Sequence, residues 1–200
     1  LILLSGSFRV GESIFSRSNV FTEEAVGFYV SNSGIVSIDP DGECEICVIK
    51  SACIVDKNIP LTEIDRESFQ TKLVGNGNYH RSVKTMIDGR SNLSNLIVGE
   101  TTQDSGNWSS WPPHKHDTYA EEYESNHKEI YLYKFEKKSG FGIQLVYENL
   151  DDPDLILVRN NDTVNIDSGY HPVVSSPSSK MYYLWVLFGE NKFFKVSYES

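Results

Sequence analysis

Apolar residues in this chain recur in short runs separated by turn-forming residues, and helical spacing is almost absent. The runs at 25–30, 34–38, 46–49, 95–98, 130–135, 142–147, 155–158 and 181–188 have strand length and strand composition. Between them stand Asn32-Ser33-Gly34, Asp39-Pro40-Asp41-Gly42, Gly75-Asn76-Gly77-Asn78, Asp88-Gly89 and Ser139-Gly140. Gly supplies positive φ in such turns, and Asn or Asp bonds its own backbone there. Many short strands at this rhythm predict an all-β sandwich or barrel. A short helical turn is expected near 61–69 and a second helix within 119–127. The polar stretch 70–89 reads as a connector, which puts a module boundary near residue 90.

Two hundred residues accommodate one large β domain or two small ones. With 39% hydrophobic and 23% charged residues the chain has the composition of a globular protein with a sizeable core. Its net charge of −10 disfavours nucleic acid and anionic membrane as partners. No segment has the run of apolar residues that crosses a bilayer as a helix. The opening Leu1-Ile2-Leu3-Leu4 runs into Ser5-Gly6-Ser7-Phe8-Arg9-Val10, a strand and turn rather than a leader. Cys44, Cys47 and Cys53 are odd in number. They predict small buried strand residues of a reducing cytoplasm rather than a disulfide framework, and half of a zinc site is the sharper alternative.

Candidate chemistry concentrates in Pro112-Pro113-His114-Lys115-His116-Asp117, Glu129 and Gly169-Tyr170-His171-Pro172. On a strand His114 and His116 share one face, because side chains alternate with period two. Neutral imidazoles with one carboxylate form a ligand set for zinc, manganese or iron(II). The same period places Tyr131 and Tyr133 on the face of Glu129, as proton shuttles whose pKa a nearby cation lowers or as barrel-filling aromatics. Lys115 and Lys134 alternate away from that face as solvated charges. Glu121, Glu122 and Glu124 read as a charged surface loop, and His127 as a loop residue that would join the face of Glu129 if the strand began earlier. No histidine precedes His80, so the first module is a scaffold.

The blocks Gly75-Asn76-Gly77-Asn78-Tyr79-His80-Arg81, Val98-Gly99-Glu100-Thr101, Gly106-Asn107-Trp108-Ser109-Ser110-Trp111-Pro112-Pro113-His114-Lys115-His116-Asp117, Glu129-Ile130-Tyr131-Leu132-Tyr133, Gly140-Phe141-Gly142-Ile143-Gln144, Gly169-Tyr170-His171-Pro172-Val173 and Tyr182-Tyr183-Leu184 occur in this order. In that order the chain resembles the 5-deoxy-glucuronate isomerase family of myo-inositol catabolism, densely over 70–190. The resemblance implies a bicupin: tandem double-stranded β-helix (jelly-roll) barrels, with a shortened N-terminal cupin-like module at 1–90 and a metal-binding cupin barrel at 91–200. It implies His114, His116, Glu129 and His171 as metal ligands, with zinc foremost and manganese, iron or nickel as alternatives. It implies an aldose–ketose isomerisation of 5-deoxy-D-glucuronate to 2-deoxy-5-keto-D-gluconate. On that basis Tyr131 and Tyr133 are candidate catalytic groups, Gln144 and Arg81 candidate contacts of a small sugar-acid substrate, and a cytoplasmic homodimer the expected state. The chain departs from the family pattern at Leu145 and Ser168, where Arg is usual, at Trp185, where Asn is usual, and at Asn160-Asn161-Asp162. These departures leave room for a related uronate substrate, another cupin chemistry or a non-catalytic sugar- or metal-binding cupin.

Overall fold

A computed structural model describes residues 1–30, 35–51, 60–64, 66–88, 96–121, 123–189 and 193–199. The turn at 32–34, Cys53, Gly89, the expected boundary at residue 90, the strand start at 95 and Glu122 lie outside the described residues. Described residues up to Phe69 form one compact unit, and those from Gln70 onward form a second. Both are built from strands, so the expected all-β class is the observed one.

The first unit is organised around β1 (Ile2–Val10), which pairs antiparallel with β2 (Ser13–Arg17), β3 (Val26–Tyr29), β4 (Asp39–Pro40) and β5 (Glu45–Cys47), while β3 also pairs with β6 (Thr62–Glu63). Its partners divide at Gly6: β3 and β5 pair with residues 2–5, and β2 and β4 with residues 6–10. The Gly6 φ of +90 is open to glycine, and a Cβ there would meet Glu43 O at 2.5 Å. The core is apolar: Phe8 stacks on Phe15 at 5.0 Å, and Phe28 closes the triad at 6.2 and 5.5 Å. Cys44 and Cys47 are free and half-buried, and burial pushes the Cys47 thiol up. The expected strand at 34–38 is absent from its described part, and the helical turn expected near 61–69 is β6 followed by one 3-10 turn at Arg66–Ser68.

The second unit comprises β7 (Gln70–Val74), β8 (Arg81–Ile87), β9 (Leu96–Gln103), β10 (Trp108–Ser109), β11 (His114–Lys115), β12 (His127–Phe135), β13 (Gly142–Val146), β14 (Asp154–Val158), β15 (Thr163–Ile166), β16 (Val173–Ser175), β17 (Met181–Gly189) and β18 (Ser197–Tyr198). One sheet runs β15-β12-β17-β9-β8-β7 and another β10-β16-β13-β14, all pairs antiparallel. Residues of both sheets share one core, among them Tyr131, Tyr133, Val158, Val173, Tyr183 and Leu187, which is a jelly-roll sandwich. The stretch 70–87 is a polar edge hairpin of the larger sheet rather than the expected connector. The helix expected within 119–127 is absent among its described residues: Ala120 and Glu124 bridge across a turn, and β12 begins at His127.

Candidate metal centre

Strand β12 alternates strictly between buried residues, His127, Glu129, Tyr131, Tyr133 and Phe135, and more exposed ones. It is paired on both sides, by β15 and β17, so Glu129 stands on an interior strand of the larger sheet. His127, expected in a loop, therefore shares the buried face of Glu129. Its N–H donates to His116 O at 2.7 Å, and His116 Nδ1 donates back to His127 O at 3.0 Å. That reciprocal pair fixes the His116 ring over β12.

His171 arrives from the opposite sheet on a turn that needs Gly169. Its φ is +91, and a Cβ would lie 2.7 Å from Tyr147 O. Gly169 N–H donates to Asp117 Oδ2 at 2.7 Å, and Gly169 O accepts from His171 Nδ1 at 2.9 Å. Asp117 thus ties the turn of the third histidine to the segment carrying the first two. His114, on β11, directs Nδ1 to Pro112 O at 3.2 Å.

These bonds decide the tautomers. A carbonyl only accepts, so each Nδ1 carries the hydrogen and each neutral ring offers a bare Nε2. His116 Nε2 and His171 Nε2 lie 3.2 and 3.4 Å from the same oxygen, Glu129 Oε2, and the donor atoms of the three residues fall within 4.8 Å of one another. His171 Nε2 is buried and makes no hydrogen bond. Three electron-pair donors this close repel one another unless a positive charge lies among them. A single divalent cation satisfies all three at once, so the residues fit a metal. Without one, burial raises the Glu129 carboxyl, but a proton taken up on Nε2 of His116 or His171 would face the carboxylate, and that attraction outweighs burial and holds the pKa at about 2. Burial lowers His116, and the Glu129 contact outweighs that and raises it. His114 stands just outside the trio, its ring 5.0 Å from that of His171; burial and the His171 charge pull it down to about 3.

Beneath the ligands lie three tyrosines, each with a partner. Tyr131 Oη is 3.0 Å from Ser110 Oγ, the hydroxyls of Tyr183 and Ser109 are hydrogen-bonded, and Tyr133 Oη donates to Gln144 Oε1 at 2.5 Å. Burial, first of all, raises all three phenols, and the Glu129 charge adds to it. In the protein's own field, without a cation, Tyr131 and Tyr133 are therefore neutral phenols. Gln144 Nε2 donates to Leu145 O, His171 O and Pro172 O at 2.7, 2.7 and 3.1 Å, so its amide is committed to the protein and supports the His171 turn. Arg81 is buried in β8 with Nη1 donating to Tyr79 O at 3.0 Å, and its charge reaches Tyr183 rather than the histidines.

Other expectations change. Glu124 is buried and accepts the N–H groups of Asp117 and Thr118, both at 2.8 Å, so it caps the turn after His116 instead of belonging to a solvated loop. Lys115 reaches Asp117 at 3.2 Å and Glu148 at 3.4 Å rather than standing free in solvent. Leu145 follows inward-facing Gln144 and opposes Leu155, so it lies on the outer face of β13, and an Arg there would point away from the centre. Trp185 faces inward across from Tyr131, packs over Gly99 and donates to Thr101 Oγ1 at 3.2 Å. Sequence reasoning missed Ser110, whose backbone takes the left-handed φ of 50, and the aromatic residues Phe194 and Tyr198 beside the histidines.

The protein is 31% identical over its whole length to 5-deoxy-glucuronate isomerase of Shouchella clausii (strain KSM-K16), of which it covers 76%. It is 30% identical to the enzyme of the same name from Geobacillus kaustophilus (strain HTA426), over 94% of this chain and 71% of that one. The crystal structure of an IolB-like protein from Salmonella typhimurium LT2 superimposes with a TM-score of 0.81 at 25% identity, covering 99% of this chain and 78% of that chain. The model of the KduI/IolB family matches residues 1–199, and the chain belongs to that family.

Proposed function

We propose that this protein is a metal-dependent aldose–ketose isomerase converting 5-deoxy-D-glucuronate to 2-deoxy-5-keto-D-gluconate, its divalent cation held by His114, His116, Glu129 and His171. The observation that carries this reading is the convergence of His116 Nε2 and His171 Nε2 on one Glu129 oxygen while both Nδ1 atoms are bound to carbonyls. The name shared by the relatives supplies the substrate. Zinc suits this ligand set, and manganese, iron or nickel share the preference. A tandem cupin with a metal-free first module belongs to the same reading.

Isomerisation moves one proton between adjacent carbons while a carbonyl and a hydroxyl exchange places. A bound cation supplies positive charge beside the oxygens that become negative. Tyr131, protonated and 3.0 Å from Ser110 Oγ, offers a hydroxyl that hydrogen-bonds to a developing oxyanion while Ser110 O–H donates to Tyr131 Oη. Tyr133 and Gln144 hold the His171 turn in place.

Trp185 favours a second reading, a related uronate such as 5-keto-4-deoxyuronate. An indole fills barrel space opposite Tyr131 where the family pattern has a small amide. Metal-analysed protein assayed with both uronates, beside a His114→Ala, His116→Ala variant, separates the two. Turnover of 5-deoxy-D-glucuronate that vanishes together with the metal in the variant is expected. Turnover of the other uronate alone would select the second reading, and metal-loaded protein inert to both would leave a binding protein.

A further inference from the structure

The four candidate ligands differ in what holds them. Glu129 sits in a nine-residue strand paired on both edges. His116 is fixed by two bonds to His127, and His171 by Gly169, whose N–H is in turn held by Asp117. His114 lies on β11, two residues long, whose ladder partner is β18. The register sets His114 opposite Tyr198 and Lys115 opposite Ser197, and Glu199 N–H donates to Pro113 O at 3.0 Å.

The segment 193–199 is itself tied down around the centre. Ser125 N–H donates to Lys195 O at 3.1 Å, and Lys195 N–H donates to Ser125 Oγ at 3.0 Å. Tyr147 Oη donates to Glu199 Oε2 at 3.0 Å, and the Tyr147 ring packs at a tilt 5.6 Å from Tyr170, next to His171. Phe194 packs on His116 at 5.3 Å and on His127 at 6.2 Å, and Tyr198 meets His114 at 6.1 Å. One strap therefore contacts the neighbourhood of every histidine ligand, and its ladder falls on the ligand that stands outside the converged trio.

We propose that residues 193–199 act as a positioning strap that brings His114 into the coordination shell through the β11–β18 pair. Engaged, the strap gives a four-ligand centre; disengaged, it leaves His116, Glu129 and His171. Ser197 is the residue to change. Glu199 N–H donates to Pro113 O, and antiparallel ladders alternate, so the next hydrogen-bonded pair is Lys115 with Ser197. Proline at 197 removes that N–H, whereas alanine keeps it.

The inference rests on the metal reading above, and its test reads the metal directly. Zinc affinity is measured by chelator competition, and the visible spectrum is recorded on the cobalt(II)-loaded protein. The comparison covers wild type, Ser197→Pro, Ser197→Ala, His114→Ala and the His114→Ala, Ser197→Pro pair. Ser197→Pro is expected to lose about 10–100-fold in affinity, as removal of a supporting residue does. Its cobalt spectrum should match that of His114→Ala, with Ser197→Ala like wild type and no further loss in the pair. Tyr147→Phe, a milder release of Glu199, should show a smaller loss that His114→Ala abolishes. Wild-type affinity and spectrum in Ser197→Pro, or an equal further loss in the His114→Ala background, would overturn the strap. Wild-type protein without zinc affinity would overturn it together with the metal reading. Zinc-bound protein without turnover would remove the isomerase alone, and the affinities would still decide the strap.

Discussion

Each unit buries a triad of aromatic rings, and the two triads differ by their oxygens. In the first, Phe8, Phe15 and Phe28 pack at 5.0 to 6.2 Å with no polar atom to satisfy. In the second, Tyr131, Tyr133 and Tyr183 pack at 4.6 to 5.9 Å, and each hydroxyl requires a partner, which Ser110, Gln144 and Ser109 provide. Ring burial stabilises both cores similarly, whereas an unpartnered buried hydroxyl is costly. The first triad is thus interchangeable filling. The second fixes the orientation of everything it touches, including the turn that carries His171.

The sharpest break in that contrast is loss of a ligand. Glu129→Leu removes the negative charge on which two imidazoles converge, so bound metal measured by elemental analysis should fall by more than the roughly 10–100-fold loss that a supporting residue costs. Next comes Phe15→Ala, which is expected to destabilise the first unit by about 3–5 kcal/mol in chemical denaturation while metal content per folded chain stays unchanged. Tyr133→Phe removes one oxygen and leaves Gln144 Oε1 buried without its donor. A loss of about 1–3 kcal/mol with a weakened metal affinity is expected, and an unaltered affinity would show that Gln144 does not support His171.

The smallest effect is on pH dependence in chelator-stripped protein. His114 titrates at about 3 when folded against an ordinary 6.5, so below pH 6.5 the unfolded chain gains a proton that the folded one refuses. Stability should therefore decline from about pH 6.5 toward 3. Glu129, about 2 against 4.5, adds its own loss only below about 4.5. His116, raised, works in the opposite sense: its contribution is full below 6.5 and fades as pH rises through its folded value. Denaturation midpoints across pH 4.5–6.5 should fall less steeply in His114→Ala than in wild type.

Much of the centre could be read from residue order, because period two on a strand is a rigid rule. Glu129, Tyr131 and Tyr133 share the buried face of β12 as that rule requires. What the rule does not give is where the strand begins, so residue order alone places His127 in a loop. Glu124 was missed because one buried carboxylate in an acidic run looks like its neighbours until backbone N–H groups turn toward it. The hairpin at 70–87 is hidden by polar residues such as Lys72 on the edge strand β7 and Ser82 and Lys84 on its neighbour β8, which break the apolar alternation. Segment 193–199 shows no periodicity, since its pairing is two residues long and the rest of its hold comes from Ser125 and Tyr147. Long-range partners of that kind leave no local pattern.

The most direct test is turnover of 5-deoxy-D-glucuronate by chelator-stripped wild type titrated with zinc, beside Glu129→Gln treated in the same way. Stripped protein should be silent and regain activity in proportion to bound zinc, up to one ion per chain, while Glu129→Gln stays silent. Turnover in stripped protein at the loaded rate, or full activity in Glu129→Gln, would contradict a metal-dependent isomerase built on this trio.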